Sequence, residues 1–242
     1  MKLRLLSTLL LLPVAVMAYS TGPPDGVTGA PGEVNCTACH TSFEVNSGNG
    51  QLMISGPASF QAGQTYPITV TLQDPGQQRW GFELTTQSVG VFSITDTLRI
   101  QIEQSFIHQY VKHTAEGTHA GFPDGPNAWT FDWTAPLQPD AQVTFYAAGN
   151  ASNFSGDDQG DYIYTTSLAV PLSLPAVEDL VIQSSGGAAL LAWSPVPGAL
   201  QYRVERSPQG YGPWQLLALT ALTQHQDAAP GAAACYRVVA LR

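Results

Sequence analysis

"TYPITVTLQDPG", residues 65–76, decides the fold class. Tyr66, Ile68, Val70 and Leu72 alternate with smaller or polar residues, and the run ends on an Asp-Pro-Gly turn. A period of two is the mark of a strand with one buried face. The same rhythm returns in QLMISGP (51–57), WGFELTTQ (80–87), TDTLRIQIE (95–103), AQVTFYAAG (142–149) and DYIYTTSLAVPL (161–172). Turn residues separate these runs, and no long stretch has helical periodicity. The pattern predicts an all-β chain built as β-sandwiches of the immunoglobulin-like kind. Residues 19–35, rich in Gly and Pro, read as an extended strap ahead of the first sandwich.

The chain has 242 residues and opens MKLRLLSTLLLLPVAVMA. Lys2 and Arg4 form a basic start, residues 5–16 are apolar, and Val16-Met17-Ala18 offers a small-x-small cleavage site. That is the pattern of a secretory signal peptide over residues 1–18, too short for a permanent anchor, since a span needs about 20 apolar residues. The expectation is an exported protein, periplasmic or extracellular and open to cell-surface association, with no membrane span after cleavage. Without Lys2 and Arg4, seven basic residues face eighteen acidic ones, a net charge of −11. Such a chain repels phosphate backbones, so nucleic acid is excluded as a partner class. A charged protein partner would present a basic face.

Three cysteines are present, and two fall in "NCTACHTSF", residues 35–43. Cys36-x-x-Cys39-His40 in an exported chain reads as a c-type haem attachment site. The two thiols add across the haem vinyl groups, and the adjoining His40 is placed to bind the iron. A redox dithiol is the first rival, but it expects a βαβ context. Zinc is the second, and a structural zinc site expects four protein ligands. Cys235, far along the chain, reads as a small core or half-buried residue.

Residues 22–40, "GPPDGVTGAPGEVNCTACH", resemble the start of a bacterial reelin-like (Reeler-type) β-sandwich domain that carries this haem motif. The resemblance continues in GFELTTQ (81–87), YVKHTAEGTH (110–119), AWTFDWTAP (128–136), VTFYAAGNASN (143–153) and GDYIYTTSL (160–168). It implies a first domain over residues 19–172 with one covalent haem c. After Pro175 the sequence VEDLVIQSSGGAALLAWSPVPGALQYRVERS is similar to a fibronectin type III module. Trp193 stands on its B strand, and Tyr236 falls where the F-strand tyrosine belongs. This second unit covers residues 176–242 and stops where a final strand would begin.

The candidates for the second axial ligand are His113, His119 and Met53. A second histidine gives a low-potential carrier, whereas methionine raises the potential. His113 ends a strand-like run before a glycine-containing turn and is the first choice. Met53 alternates with Leu52 and Ile54 and is expected to point outward. His108 and His225 read as solvated. Asp157, Asp158 and Asp161 share one loop, where oxygen ligands can hold calcium and a solvated turn is the default. Trp80, Trp129, Phe131 and Trp133 read as sandwich core. No triad, carboxylate pair or nucleotide loop argues for an enzyme. The expected function is that of a monohaem c-type cytochrome passing electrons to a redox partner protein. Two alternatives stand beside it. One is an extracellular adhesion or matrix-binding protein with structural or absent haem. The other is a haem-based ligand sensor with an open sixth position.

Overall fold

The computed structural model describes residues 19–231 and 233–242; the signal-peptide expectation for residues 1–18 lies outside them. The described chain is all-β, with two short 3-10 turns at Cys36–Ala38 and Glu116–Thr118. Nine strands form the first sandwich: β1 (Gln51–Ser55), β2 (Thr65–Gln73), β3 (Arg79–Thr85), β4 (Val91–Ser93), β5 (Ile100–Ser105), β6 (His108–His113), β7 (Asn127–Thr134), β8 (Gln142–Ser152) and β9 (Tyr162–Pro171). One sheet runs β1-β2-β7-β4 and the other β5-β6-β3-β8-β9, with antiparallel neighbours throughout.

The alternation read in β2 buries Ile68, Val70 and Leu72 against a core supplied by both sheets. Trp129, Phe131 and Trp133 of β7 meet Phe82 of β3 and Phe145 of β8 there. Phe82 and Trp129 have ring centroids 4.5 Å apart, and Trp133 and Phe145 meet edge-on at 5.2 Å. Such edge and offset contacts add to the area each ring removes from water. The strand expected over 95–103 begins later, at Ile100. Asp96 accepts hydrogen bonds from the main-chain N–H groups of Arg99 and Ile100, so the residues before β5 close a turn.

In β3 alternation breaks down: every residue from Trp80 to Thr85 is buried. Trp80, Phe82 and Leu84 face the core, and Gly81, Glu83 and Thr85 lie on the sheet's outer face. That face is covered by the strap, residues 19–40. The strap has little regular structure beyond a bridge between Thr28 and Asn35 and the turn at Cys36. Between the bridged residues the chain reverses at Ala30-Pro31-Gly32-Glu33, where Glu33 N–H donates to the Ala30 carbonyl at 2.9 Å. Gly32 has φ of 86°, the left-handed value that position needs after a proline.

The remaining strands are β10 (Val181–Ser185), β11 (Ala188–Ala192), β12 (Gln201–Ser207), β13 (Gln215–Thr220), β14 (Gln224–Asp227) and β15 (Cys235–Leu241). They form sheets β10-β11-β14 and β13-β12-β15 around a second core of Leu191, Trp193, Tyr202, Val204 and Val238. Tyr236 of β15 donates its hydroxyl to Asp227, which also pairs with Arg206 at 2.8 Å. Cys235 is exposed.

Leu172 packs on the first core, whereas Leu174 and Val177 pack on the second. A chain of residues 19–172 is therefore expected to fold alone, with a β-type circular dichroism spectrum and one cooperative thermal transition. A shortened protein without that transition shows that the first core needs residues 173–242.

Candidate functional site

The strap is fixed to the outer face by polar contacts made out of water. Lys112 of β6 is 3% exposed, and its ammonium reaches Asp25 at 2.8 Å, Glu103 at 2.7 Å and the Pro23 carbonyl at 2.8 Å. Glu83 of β3, fully buried, accepts from the Val27 main-chain N–H at 2.7 Å. Tyr110 donates to Glu33 at 2.8 Å, and Thr28 holds the other oxygen of that carboxylate. Buried charges persist where they are paired and hydrogen-bonded, and these partners come from the strap as well as from the sheet.

Past this clamp the strap turns at "NCTACH". Asn35 Oδ1 accepts from the main-chain N–H and hydroxyl of Thr37, at 2.8 and 2.7 Å. The N–H groups of Cys39 and His40 both donate to the Cys36 carbonyl, at 3.2 and 3.0 Å. These bonds wind Cys36, Cys39 and His40 into one tight turn facing the sheet. Between turn and sheet lies a cavity of about 810 Å³, counted out to its open mouth. The two cysteines and His40 form one wall. Gly81, Phe82 and His113 stand in another, with Pro24, Val27, Trp80 and Phe154 supplying apolar surface.

His113 reaches this cavity because the β3–β6 ladder ends early. The pairing runs through Leu84–Val111 and Glu83–Lys112 and then stops. The imidazole fills the opening, with Nδ1 3.0 Å from the Phe82 amide nitrogen and 3.2 Å from the Phe82 carbonyl oxygen. In either tautomer the β3 main chain occupies Nδ1, which fixes the ring. Gly81 makes room: a Cβ there lies 2.7 Å from His113 Cε1. Burial lowers the His113 pKa to about 4, against weaker support from the main chain of Phe82 and Tyr19. The ring is therefore neutral at ordinary pH, the state in which imidazole binds a metal.

The other expected residues lie elsewhere. His119 packs against Trp129 and Phe122 at the end of the second 3-10 turn, its Nε2 buried without a partner. Met53 is 40% exposed on β1 and points outward, and His108 meets Ser88 at 2.8 Å. Neither His119 nor Met53 lines the cavity. Trp80, Trp129, Phe131 and Trp133 all belong to the core, although Trp80 also backs the cavity wall. Asp161 parts company with Asp157 and Asp158: it is buried and faces His40 at 2.8 Å. Among the described residues no group of three His, Cys, Asp or Glu is arranged to hold a metal ion by itself.

Three residues at the site were given no role there by the sequence reading, and two of them, Arg79 and Asn150, line the cavity. Arg79 stands in the lining with its guanidinium 5.4 Å from the centre of the Phe154 ring. Asn150 of β8 approaches both ring nitrogens of His40, at 3.3 and 3.2 Å. Glu83 lies beneath Cys36. Burial first, and then the Glu83 carboxyl, push the Cys36 thiol up to about 12. A redox dithiol or a zinc site needs a readily formed thiolate, and its surroundings are normally electropositive. The surroundings of Cys36 oppose its thiolate.

No protein-family model and no curated protein matches the chain. Among solved structures it is similar to the reeler domain of human F-spondin, at 16% identity, over 53% of this chain and 97% of that one, with a TM-score of 0.35. It is also similar to the Actinomyces fimbrial adhesin FimA, at 11% identity over 77% of each chain, TM-score 0.35. A third likeness is to BcpA, the major pilin subunit of Bacillus cereus, at 6% identity over 78% of this chain and 55% of that one, TM-score 0.30. Likenesses at these scores assign no site and no partner. Among the described residues no helix is long and apolar enough to cross a membrane.

Glu83 makes the strap's docking depend on pH. Burial raises its pKa from an ordinary 4.5 to about 8, offset in part by the Val27 N–H and by Lys112, while Asp25 and Glu33 push it further up. Between those two values the folded chain holds a proton that the unfolded chain releases. Stability therefore falls as pH rises from about 4.5 to 8 and levels off above. Glu83→Gln removes that slope. Urea unfolding of the haem-free protein at pH 5 and pH 8 is expected to show wild type losing on the order of 3 kcal/mol more than the variant across the window. Parallel losses in the two proteins contradict an uncharged, buried Glu83.

Proposed function

We propose that this chain is an exported, monohaem, c-type cytochrome-like protein whose role is electron transfer. The observation that carries the proposal is the cavity with Cys36, Cys39 and His40 in one wall and a neutral, fixed His113 in another. The fit to haem rests on three features. The cavity walls are mainly apolar, as a porphyrin requires. Gly81 leaves out the one carbon that would strike His113. Arg79 supplies a cation suited to a propionate carboxylate. Cys36 and Cys39 would anchor the haem covalently, and His40 and His113 would bind its iron. When bound, haem supplies one-electron chemistry between ferrous and ferric iron.

The polypeptide's part is to attach, orient and shield. The strap closes over the outer face of the sheet, so that burial, iron ligation and hydrogen bonding would set the potential. The acidic chain favours a redox partner protein with a basic docking face. Domain roles follow the same division: a reelin-like sandwich over residues 19–172 carries the cofactor, and a fibronectin type III-like unit over residues 176–242 acts as spacer or docking platform. The location proposed is periplasmic or extracellular.

A second reading is an extracellular adhesion or matrix-binding protein with structural or absent haem. It draws support from the second unit, which adds no residue to the cavity and exposes Val181, Ile182, Leu216 and Leu219. It is also in keeping with the adhesin and pilin subunits named above.

Protein made alongside a cytochrome c maturation system is expected to carry the mass of one haem, and the double substitution Cys36→Ala, Cys39→Ala to carry none. His113→Ala should keep the haem and convert the ferric spectrum from low to high spin, with Gly81→Ala moving it the same way by displacing the ring. His119→Ala should leave it low-spin. A colourless wild type with a Cys36–Cys39 disulfide rules out the cytochrome and leaves adhesion. A high-spin wild type with haem attached means an open sixth position, as in a ligand sensor.

A further inference from the structure

We propose that Asp161 is a positioning residue for the haem-iron ligand His40, holding its Nδ1 proton and lowering the reduction potential of the site. The inference rests on the haem reading above and adds to it a residue that neither the CxxCH motif nor the strand pattern points to.

The geometry comes first. Asp161 Oδ2 lies 2.8 Å from His40 Nδ1, and the aspartate is 1% exposed. It stands just before β9, at the end of the loop SGDDQGDY, where Asp157 is exposed at the edge of the cavity and Asp158 is half-buried. Both carboxylate oxygens are held by the end of β8. The Asn150 side-chain amide donates to Oδ2 at 3.2 Å, and the Asn153 main-chain N–H donates to Oδ1 at 3.2 Å. Among the described residues His40 is the only basic side chain within ion-pair distance of this carboxylate. The aspartate is therefore fixed in place, removed from water and directed at one imidazole nitrogen.

The chemistry follows from that arrangement. An imidazole that binds a metal through Nε2 has an Nδ1–H to place, and a carboxylate there sets the tautomer, locks the ring and raises ligand basicity. A more basic ligand and a nearby negative charge both stabilise ferric over ferrous iron. The exchange is one electron, taken from or given to a partner protein. The proton stays on Nδ1 in both oxidation states, so no atom is transferred.

The test is a spectroelectrochemical titration of the full, haem-loaded chain and of Asp161→Asn, which keeps the shape but removes the charge. The variant is expected to favour the ferrous form by tenfold or more at a fixed potential, equivalent to a rise of about 59 mV for one electron. It should remain low-spin, and Asp161→Glu should return towards wild type. A structural role alone would disturb stability and spin state without that ordered shift. A potential unchanged in Asp161→Asn overturns the proposal. If Asp161→Asn does not fold, proton NMR of the wild-type ferric protein decides: the His40 Nδ1–H signal should outlast transfer into deuterium oxide, and its immediate loss overturns the assignment. Failure of the haem reading is told apart because the wild type would then show no haem mass at all.

Discussion

Burial of Lys112 and Glu83 on the outer face of the five-stranded sheet is the constraint on which the site depends. Both sit where alternation sends side chains to water, and both are shut away from it by residues 19–40. The ammonium is satisfied by Asp25, Glu103 and the Pro23 carbonyl, and one Glu83 oxygen by the Val27 N–H. The other Glu83 oxygen has no hydrogen-bond partner. An unpaired buried ion costs several kcal/mol, so the strap can cover Lys112 because Asp25 and the Pro23 carbonyl join Glu103 in satisfying the ammonium. The arrangement works in both directions: the strap supplies partners for Lys112 and for one Glu83 oxygen, and the sheet gives the strap one position.

That position makes the cavity. With residues 23–33 held down, the turn at Cys36–Ala38 falls over the place where β3 and β6 part, and the His113 ring comes up through the gap. Gly81 opens the space beneath it. The resulting site is asymmetric. His40 is bonded to a carboxylate, and His113 is bonded to main chain. Two histidines of one chain thus meet the cavity with different partners, a difference their sequence contexts do not express.

How much of this is legible in the sequence follows from what each signal encodes. Alternation in residues 65–72 reports one buried face and gave the strand correctly, as did the runs at 51–57 and 142–149. It failed at Asp96–Arg99, where a side-chain cap closes a turn inside an apparently regular run. Motif and position singled out Cys36, Cys39, His40 and His113, and the structure brings those four residues to one cavity and leaves His119 outside it. Asp161 was not readable. In SGDDQGDY it looks like its solvated neighbours, and only the pairing of β8 with β9 turns it inward to His40. Glu83 and Gly81 were hidden for a related reason: a covering segment sixty residues away in sequence leaves no periodic trace in the strand it covers.

The most direct test is acid–acetone extraction of the purified protein, followed by its reduced visible spectrum. Haem attached through Cys36 and Cys39 stays with the polypeptide, and the reduced protein shows a sharp α-band. Colour that passes wholly into the organic phase, or a protein with no colour and both thiols unmodified, contradicts a covalent haem beneath the strap.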